Sequence, residues 1–113
     1  MKSPHTGKTE LLRGTLHLLV LRTLELRPLH GSAIMDRIRQ VTGGTFDVPA
    51  GSLFPALHRL EQEGWIAGEW TVSEDDRRIR AYTLTRPGRK RLADEKRQWR
   101  RVVNAVEQVL ETN

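Results

Sequence analysis

The spacing of the hydrophobic residues changes at Gly64, and this change limits the folds that are open to the chain. Before Gly64, apolar residues recur every three or four positions, which is typical of amphipathic helices. Residues 66–72 and 79–84 have the alternation or the β-branched and aromatic content of strands, and the polar residues 73–78 between them indicate a hairpin loop. Helical spacing returns after Thr85. The sequence therefore predicts a fold that is mainly α with a small β hairpin.

Three helices are predicted before the hairpin. Residues 9–26 carry leucines on more than one side, as expected for a helix that is buried between two partners. The second helix opens at Gly31, and the third begins with Asp47 as its N-cap and ends at Gly64 in a left-handed C-cap. A turn with two glycines separates these two helices, so they form a helix-turn-helix. With the basic hairpin that follows, they predict a winged helix-turn-helix.

The last helix is predicted to start after Thr85 and to run to about Leu110. Its large side chains form one stripe with coiled-coil-like spacing: Leu92, Trp99, Val102, Val103, Val106, Val109 and Leu110. Because a second copy is the simplest cover for this stripe, we predict a homodimer through long N- and C-terminal helices, with Leu11 and Leu18 also at the interface. Packing on the first helix of the same chain is the competing interpretation. Both interpretations hold if the first helix of each protomer packs against the last helix of its partner.

Trp99 has two interpretations of its own. A tryptophan near a dimer axis can line a slot for a planar ligand, which would make Trp99 a ligand-binding residue. It can equally be an anchor of the interface, and this simpler interpretation is the one we favour.

The chain divides into three predicted parts: a flexible N-terminal tail (1–8), a winged helix-turn-helix DNA-binding domain (9–85) and a C-terminal dimerisation helix (86–113). No apolar run approaches the roughly 20 residues that span a bilayer, and the first ten residues lack the apolar stretch of a signal peptide. A cytoplasmic protein without a membrane partner is therefore expected. The absence of cysteine excludes disulfides and thiolate metal sites.

Positive charge is concentrated in one segment. Residues 77–101 hold 11 basic and 2 acidic residues, a net charge of +9, whereas the whole chain carries +5 and the remainder therefore −4. Such a segment suits a polyanion, because lysine and arginine displace counterions from phosphate. A solvated, arginine-rich helix face is the alternative, and charge alone does not separate the two.

Two groups of residues are candidates for contact with double-stranded DNA. The outward face of the third helix can enter a major groove, and its candidates are Ser52, Phe54, Pro55, His58 and Arg59. On the hairpin, three arginines can reach backbone phosphates or the minor groove: Arg77, Arg78 and Arg80. The alternatives are an ordinary amphipathic helix and local ion pairs within the hairpin.

The sequence contains no catalytic constellation. His58 and Glu61 are three positions apart, but the second histidine of a zinc-binding helix is missing. Ser52 lacks the glycine-flanked turn of a nucleophilic serine. We therefore predict that the chain is not an enzyme and uses no cofactor or metal. An alternative to DNA binding is a winged-helix module that docks on a protein, with the basic stretch serving solubility.

Over residues 11–110 the chain resembles the PadR family of bacterial transcription regulators. The matching stretches are GTLHLLVLRTL (14–24), PLHG (28–31), GSLFPALHRLEQEGWI (51–66) and RAYTLTRPGRKRL (80–92), and their order and spacing are specific. The short last helix is similar to that of the smaller PadR subgroup, in which some members have a tryptophan at the position of Trp99.

The resemblance implies a homodimeric, usually repressing regulator of a roughly palindromic operator. It implies that residues 51–59 form the recognition helix, that the wing arginines touch the DNA backbone, and that small aromatic effectors are received near the dimer interface. Two residues depart from the family pattern, since tyrosine is common where Phe54 and Ser32 stand. Phe54 has no hydroxyl to offer a phosphate, and Ser32 is a smaller, more polar start to the second helix.

Overall fold

The computed structural model describes the backbone of residues 4–113 and the side chains of residues 15–113. The described chain forms, in order, α1 (Pro4–Leu26), β1 (Leu29–His30), α2 (Gly31–Val41), α3 (Ala50–Gln62), β2 (Ile66–Val72), β3 (Arg78–Leu84) and α4 (Arg86–Glu111). The predicted fold class is confirmed, because the chain is mostly helical and the β2–β3 hairpin of a small antiparallel sheet follows the helix-turn-helix.

Two helices start elsewhere than the sequence predicts. α1 begins earlier, at Pro4, and proline suits the first turn of a helix. α3 has Pro49 as its N-cap residue, so the prediction that Asp47 caps this helix is wrong. The proline ring disfavours helical backbone at Val48, whose side chain is buried in the core before the helix begins. The left-handed C-cap is confirmed at Gly64, which has a φ of 77°.

The sheet contains one strand that the sequence did not reveal. β1 consists of Leu29 and His30, which pair antiparallel with Tyr82 and Ala81 of β3, so the strand order is β1-β3-β2. Two residues are too few to show an alternation of polar and apolar side chains, and no pattern therefore marks this strand. The pairing attaches the hairpin to the start of α2.

α1 is the central helix of the core. It packs against α2, α3, β3 and α4, which agrees with its apolar residues lying on more than one side. The buried apolar side chains are Leu16, Val20, Leu21, Leu24, Ile34, Ile38, Val48, Leu53, Ala56, Leu57, Leu60, Ile66, Tyr82, Leu84 and Leu92.

Some residues expected at a dimer interface have other positions. Leu92 is only 1% exposed and belongs to the core of the single chain, so it has no surface left for a second copy and its assignment to the interface is wrong. The reason is that the first turns of α4 pack on the helical core. Leu18 is partly buried and packs against the same core. The side chain of Leu11 lies outside the described residues.

Thr85→Ala is expected to lower the free energy of unfolding by about 1 kcal/mol. The Thr85 hydroxyl accepts a hydrogen bond from the Gly88 N–H at 3.1 Å, which confirms Thr85 as the N-cap of α4, and it donates to the Gly64 carbonyl at 2.6 Å. Urea unfolding measures the loss. Thr85→Ser keeps the hydroxyl and should stay close to wild type, and equal losses in the two variants would mean that the methyl group is what matters.

Candidate nucleic-acid interface

α3 turns one face to the core and the other to solvent. Its buried residues are spaced three and four positions apart: Leu53, Ala56, Leu57 and Leu60. The ring of Phe54 lies against the start of α2, where a side chain at Gly31 would collide with it at 2.8 Å. Ser52 is half-buried, and the rest of the predicted outward set is exposed: Phe54, Pro55, His58 and Arg59.

The wing is the β2–β3 hairpin with its loop at residues 73–77. Ser73 closes the loop: its N–H donates to the Arg77 carbonyl at 2.8 Å, and its hydroxyl accepts from the Arg77 N–H at 3.2 Å. Asp76 has a φ of 60°, a left-handed conformation that aspartate adopts more readily than most residues. The acids therefore occupy the apex, and the arginines follow on the returning side.

Arg77 and Arg78 are exposed cations. Neither forms an ion pair with a residue that the structure describes. The Arg78 guanidinium lies 4.6 Å from the centroid of the exposed Trp70 ring on the neighbouring strand. Such a contact restricts the direction of the guanidinium and leaves its charge accessible. Both arginines are therefore available to a polyanion, and local ion pairs do not occupy them.

Arg80 has a different environment from the other two arginines. Its Nη2 donates to Oε2 of Glu61 on α3 at 2.5 Å, and its guanidinium lies 5.4 Å from the Trp70 centroid. The hydrogen bond with Glu61 raises the pKa of Arg80. The structure thus directs Arg80 toward α3.

α3 and the wing line one open cleft of about 590 Å³. Phe54, His58 and Gln62 face it from α3, and Arg80 and Tyr82 face it from β3. Tyr82 is buried in the core behind the cleft, and burial raises the pKa of its hydroxyl. The cleft therefore brings together Phe54, His58 and Arg80, which the sequence marks separately. Arg78 lies on the same face of β3 as Arg80, since both guanidinium groups approach the Trp70 ring. The other predicted contacts do not line the cleft: Ser52, Pro55, Arg59 and Arg77.

Glu61 and Trp70 belong to this surface although they are not among the contacts predicted from the sequence. The position of Trp70 beside Arg80 could have been predicted, because directly opposite residues of a hairpin share a face and the register pairs these two residues. The position of Glu61 could not, since its partner lies 19 positions away in a different element.

The second half of α4 carries another exposed surface. Trp99, Val102, Val106, Val109 and Leu110 are between 45% and 77% exposed in the single chain, and Val103 is half-buried. They continue the stripe beyond Leu92. The radius of gyration is 15.7 Å, whereas a compact domain of this length would have about 13 Å. α4 presents an apolar stripe that stays exposed among the residues whose side chains are described.

The sequence model described as "Transcriptional regulator PadR-like family" matches residues 20–94, about two thirds of the chain. The chain belongs to this family. The match runs from α1 through α3 and the wing into α4, so it includes both groups of candidate DNA contacts. The resemblance seen in the four sequence stretches is thereby confirmed. PadR-like proteins are transcriptional regulators rather than enzymes, in agreement with the absence of a catalytic constellation in the sequence.

Individual PadR-like relatives cover most of the chain. Transcriptional regulator Rv3488 of Mycobacterium tuberculosis is 31% identical over 88 residues, which are 78% of this chain and 78% of that protein. The crystal structure of a PadR family regulator from Eggerthella lenta has a TM-score of 0.82 at 31% identity, covering 96% of this chain and 93% of that one. A PadR-like regulator from Bacillus cereus has a TM-score of 0.78 at 26% identity, covering 92% and 99%.

Neither a metal-binding cluster nor a membrane-spanning helix is found among the described residues of this PadR-like chain. Its described residues include no group of three or more potential metal ligands among His, Cys, Asp and Glu. No helix found there has the length and apolar content to cross a bilayer.

Proposed function

We propose that this PadR-like regulator acts as a homodimer that binds a roughly palindromic operator in the cytoplasm and represses transcription. The observation that carries the proposal is the shared cleft, which Phe54 and His58 of α3 line together with Arg80 of the wing, while Arg78 lies on the same face of β3 as Arg80. A helix fits the major groove of B-DNA, while arginines beside it can contact phosphates. Repression follows the usual role in the family that the sequence resembles.

The exposed residues divide by chemistry. Ser52, His58 and Arg59 supply hydrogen-bond donors for base edges or phosphates, and Phe54 and Pro55 supply apolar contact, as to a thymine methyl group. The two free wing arginines at positions 77 and 78 supply phosphate contacts, which position the protein on the duplex without reading its sequence.

The stripe on α4 supports the dimer. A two-fold pair of α4 helices would bury the apolar side chains that the single chain exposes. For both α3 helices to enter successive major grooves of one duplex, the dimer must hold them about 34 Å apart. Trp99 anchors this contact. A small aromatic effector that stacks on Trp99 would change the arrangement of the two α4 helices, and with it the separation of the two α3 helices.

Removing both free wing arginines, in Arg77→Ala/Arg78→Ala, is expected to weaken binding to every duplex and to reduce the slope of log affinity against log salt by about 1.8, since each phosphate contact contributes about 0.9. The measurement is a salt titration, by fluorescence anisotropy, with a duplex that the wild-type protein selects from a random library and with an unrelated duplex of equal length.

The matched control is Lys90→Ala/Arg101→Ala. Lys90 and Arg101 are exposed, lie on the side of α4 opposite the apolar stripe and do not line the cleft, so this variant loses the same charge outside both surfaces. It should keep the wild-type slope. An unchanged slope in the wing variant, or equal changes in both variants, would reject the wing contacts. A wild-type protein that binds no duplex at low salt would reject DNA binding and favour the protein-docking module.

A further inference from the structure

The side chain of Arg80 is half-buried and has close neighbours on two sides. It leaves β3 on the face shared with Trp70 and crosses β2 at Gly68. The Cβ of any other residue at position 68 would lie 2.5 Å from Nε of Arg80 and 2.9 Å from its central guanidinium carbon. Only glycine leaves this path open. The central guanidinium carbon of Arg80 lies 5.4 Å from the centroid of the Trp70 ring.

The far end of Arg80 reaches α3. Its hydrogen bond to Glu61, at 2.5 Å, is the one side-chain hydrogen bond that joins α3 to the hairpin among the residues the structure describes. Both side chains retain about 30% of their exposure, 29% for Arg80 and 31% for Glu61. An ion pair at this level of exposure contributes little to stability. Its position, between the helix and the wing that line the cleft, is its distinctive property.

We propose that the Glu61–Arg80 pair is a clamp that sets the orientation of the wing relative to α3, which makes Arg80 a positioning residue and not a phosphate contact. The clamp rests on the proposed function, because a fixed wing matters only if α3 and the wing engage one duplex together. Gly68 is part of the clamp, since the Arg80 side chain passes over it to bring the guanidinium to the Glu61 carboxylate.

Glu61→Gln distinguishes the clamp from a simple charge effect, because the two predict opposite changes in DNA affinity. Loss of an acidic group beside DNA should by itself strengthen binding, because the protein becomes more positive. The clamp predicts the opposite, a fall in affinity for the selected duplex of about tenfold, the size of effect expected when two interacting groups are uncoupled. Glu63→Gln is the matched control, since Glu63 is an acid at the same end of α3 that pairs with Arg59 at 3.5 Å. It should bind as tightly as wild type or more tightly.

Arg80→Gln tests the same clamp from the other side. If Arg80 bound a phosphate, its removal would lower the salt slope by about 0.9. If Arg80 is part of the clamp, its removal lowers the affinity and leaves the slope as in wild type. Gly68→Ala should reproduce this second result without removing any charge, because its Cβ displaces a flexible side chain and no backbone.

A second measurement needs no DNA. The chain has no cysteine, so Ala50→Cys and Glu74→Cys place two spin labels at exposed positions, one at the start of α3 and one in the wing loop. Labelled chain is mixed with excess unlabelled chain, so that each dimer carries one labelled protomer. Pulsed electron spin resonance should give a narrow distance distribution in the wild-type background and in Glu63→Gln. The distribution should broaden in Glu61→Gln and Gly68→Ala.

The two measurements distinguish failure of the clamp from failure of DNA binding. Broadening of the distance distribution together with weaker binding at an unchanged slope supports the clamp. Broadening in a protein whose wild type binds no duplex supports the clamp as an orienting device and rejects the proposed function. An unchanged distance distribution in Glu61→Gln overturns the clamp. It is also overturned if Arg80→Gln reduces the salt slope while Glu61→Gln binds DNA like the wild-type protein.

Discussion

Val106→Glu is expected to separate the proposed dimer and to lower affinity for its proposed operator by at least about 100-fold, since a monomer would lose the second half-site that bivalent binding supplies. Val106 is 52% exposed in the single chain and lies in the middle of the α4 stripe. A carboxylate there would be buried without a partner in a two-fold contact. Because the side chain lies outside the core of the single chain, the variant should remain folded. Sedimentation equilibrium gives the oligomeric state, and a duplex titration gives the affinity.

Gln108→Glu is the control for this variant. It adds the same charge to the same helix, on the side opposite the stripe, at another exposed residue. The control should stay dimeric and should lose only the small part of the affinity that one extra negative charge costs. A Val106→Glu protein that remains a dimer with unchanged operator affinity would show that the stripe is not the contact between copies.

Gly88→Ala should lower the free energy of unfolding by about 3 kcal/mol, the upper end of what forced overpacking costs. Gly88 is buried in the first turn of α4, directly against the backbone carbonyl of Trp65. A Cβ there would collide with the Trp65 carbonyl oxygen and would lie 2.7 Å from Cδ1 of Leu84. The carbonyl has little room to withdraw, because it accepts the Thr85 N–H at 3.1 Å. Urea unfolding at fixed protein concentration measures the effect.

Gly51→Ala is the same substitution in a different environment. Gly51 lies in the first turn of α3, and a Cβ there would meet nothing within 4 Å. This variant should be as stable as wild type or more stable, by up to about 1 kcal/mol, because alanine favours a helix over glycine. Similar losses in both variants would show that the close approach at Gly88 is not what makes that glycine necessary.

Much of the candidate interface could be located from the sequence because its residues follow local patterns. The outward face of α3 is the complement of Leu53, Ala56, Leu57 and Leu60, which repeat with the period of a helix. The loop acids and the arginines that follow them occupy the positions expected from the hairpin sequence. The N-cap at Thr85 and the C-cap at Gly64 were also readable, since a cap depends on residues within one helical turn.

Other features could not be predicted, because they depend on where whole elements pack. Leu92 has the same spacing as the exposed members of the α4 stripe, yet it lies in the core, because only the start of the helix rests on the other helices. Arg80 has the same charge and nearly the same position as Arg78. It differs only in being within reach of Glu61, which belongs to α3.

The sequence by itself determined the type and order of the main elements and the family, because hydrophobic period, caps and turn residues act between neighbours a few positions apart. The tertiary structure alone decided which side chains are free to act. It buried Leu92, added β1 to the sheet and paired Arg80 with Glu61 of α3. Contacts between distant segments depend on how the elements lie against one another in space, and no local spacing records that.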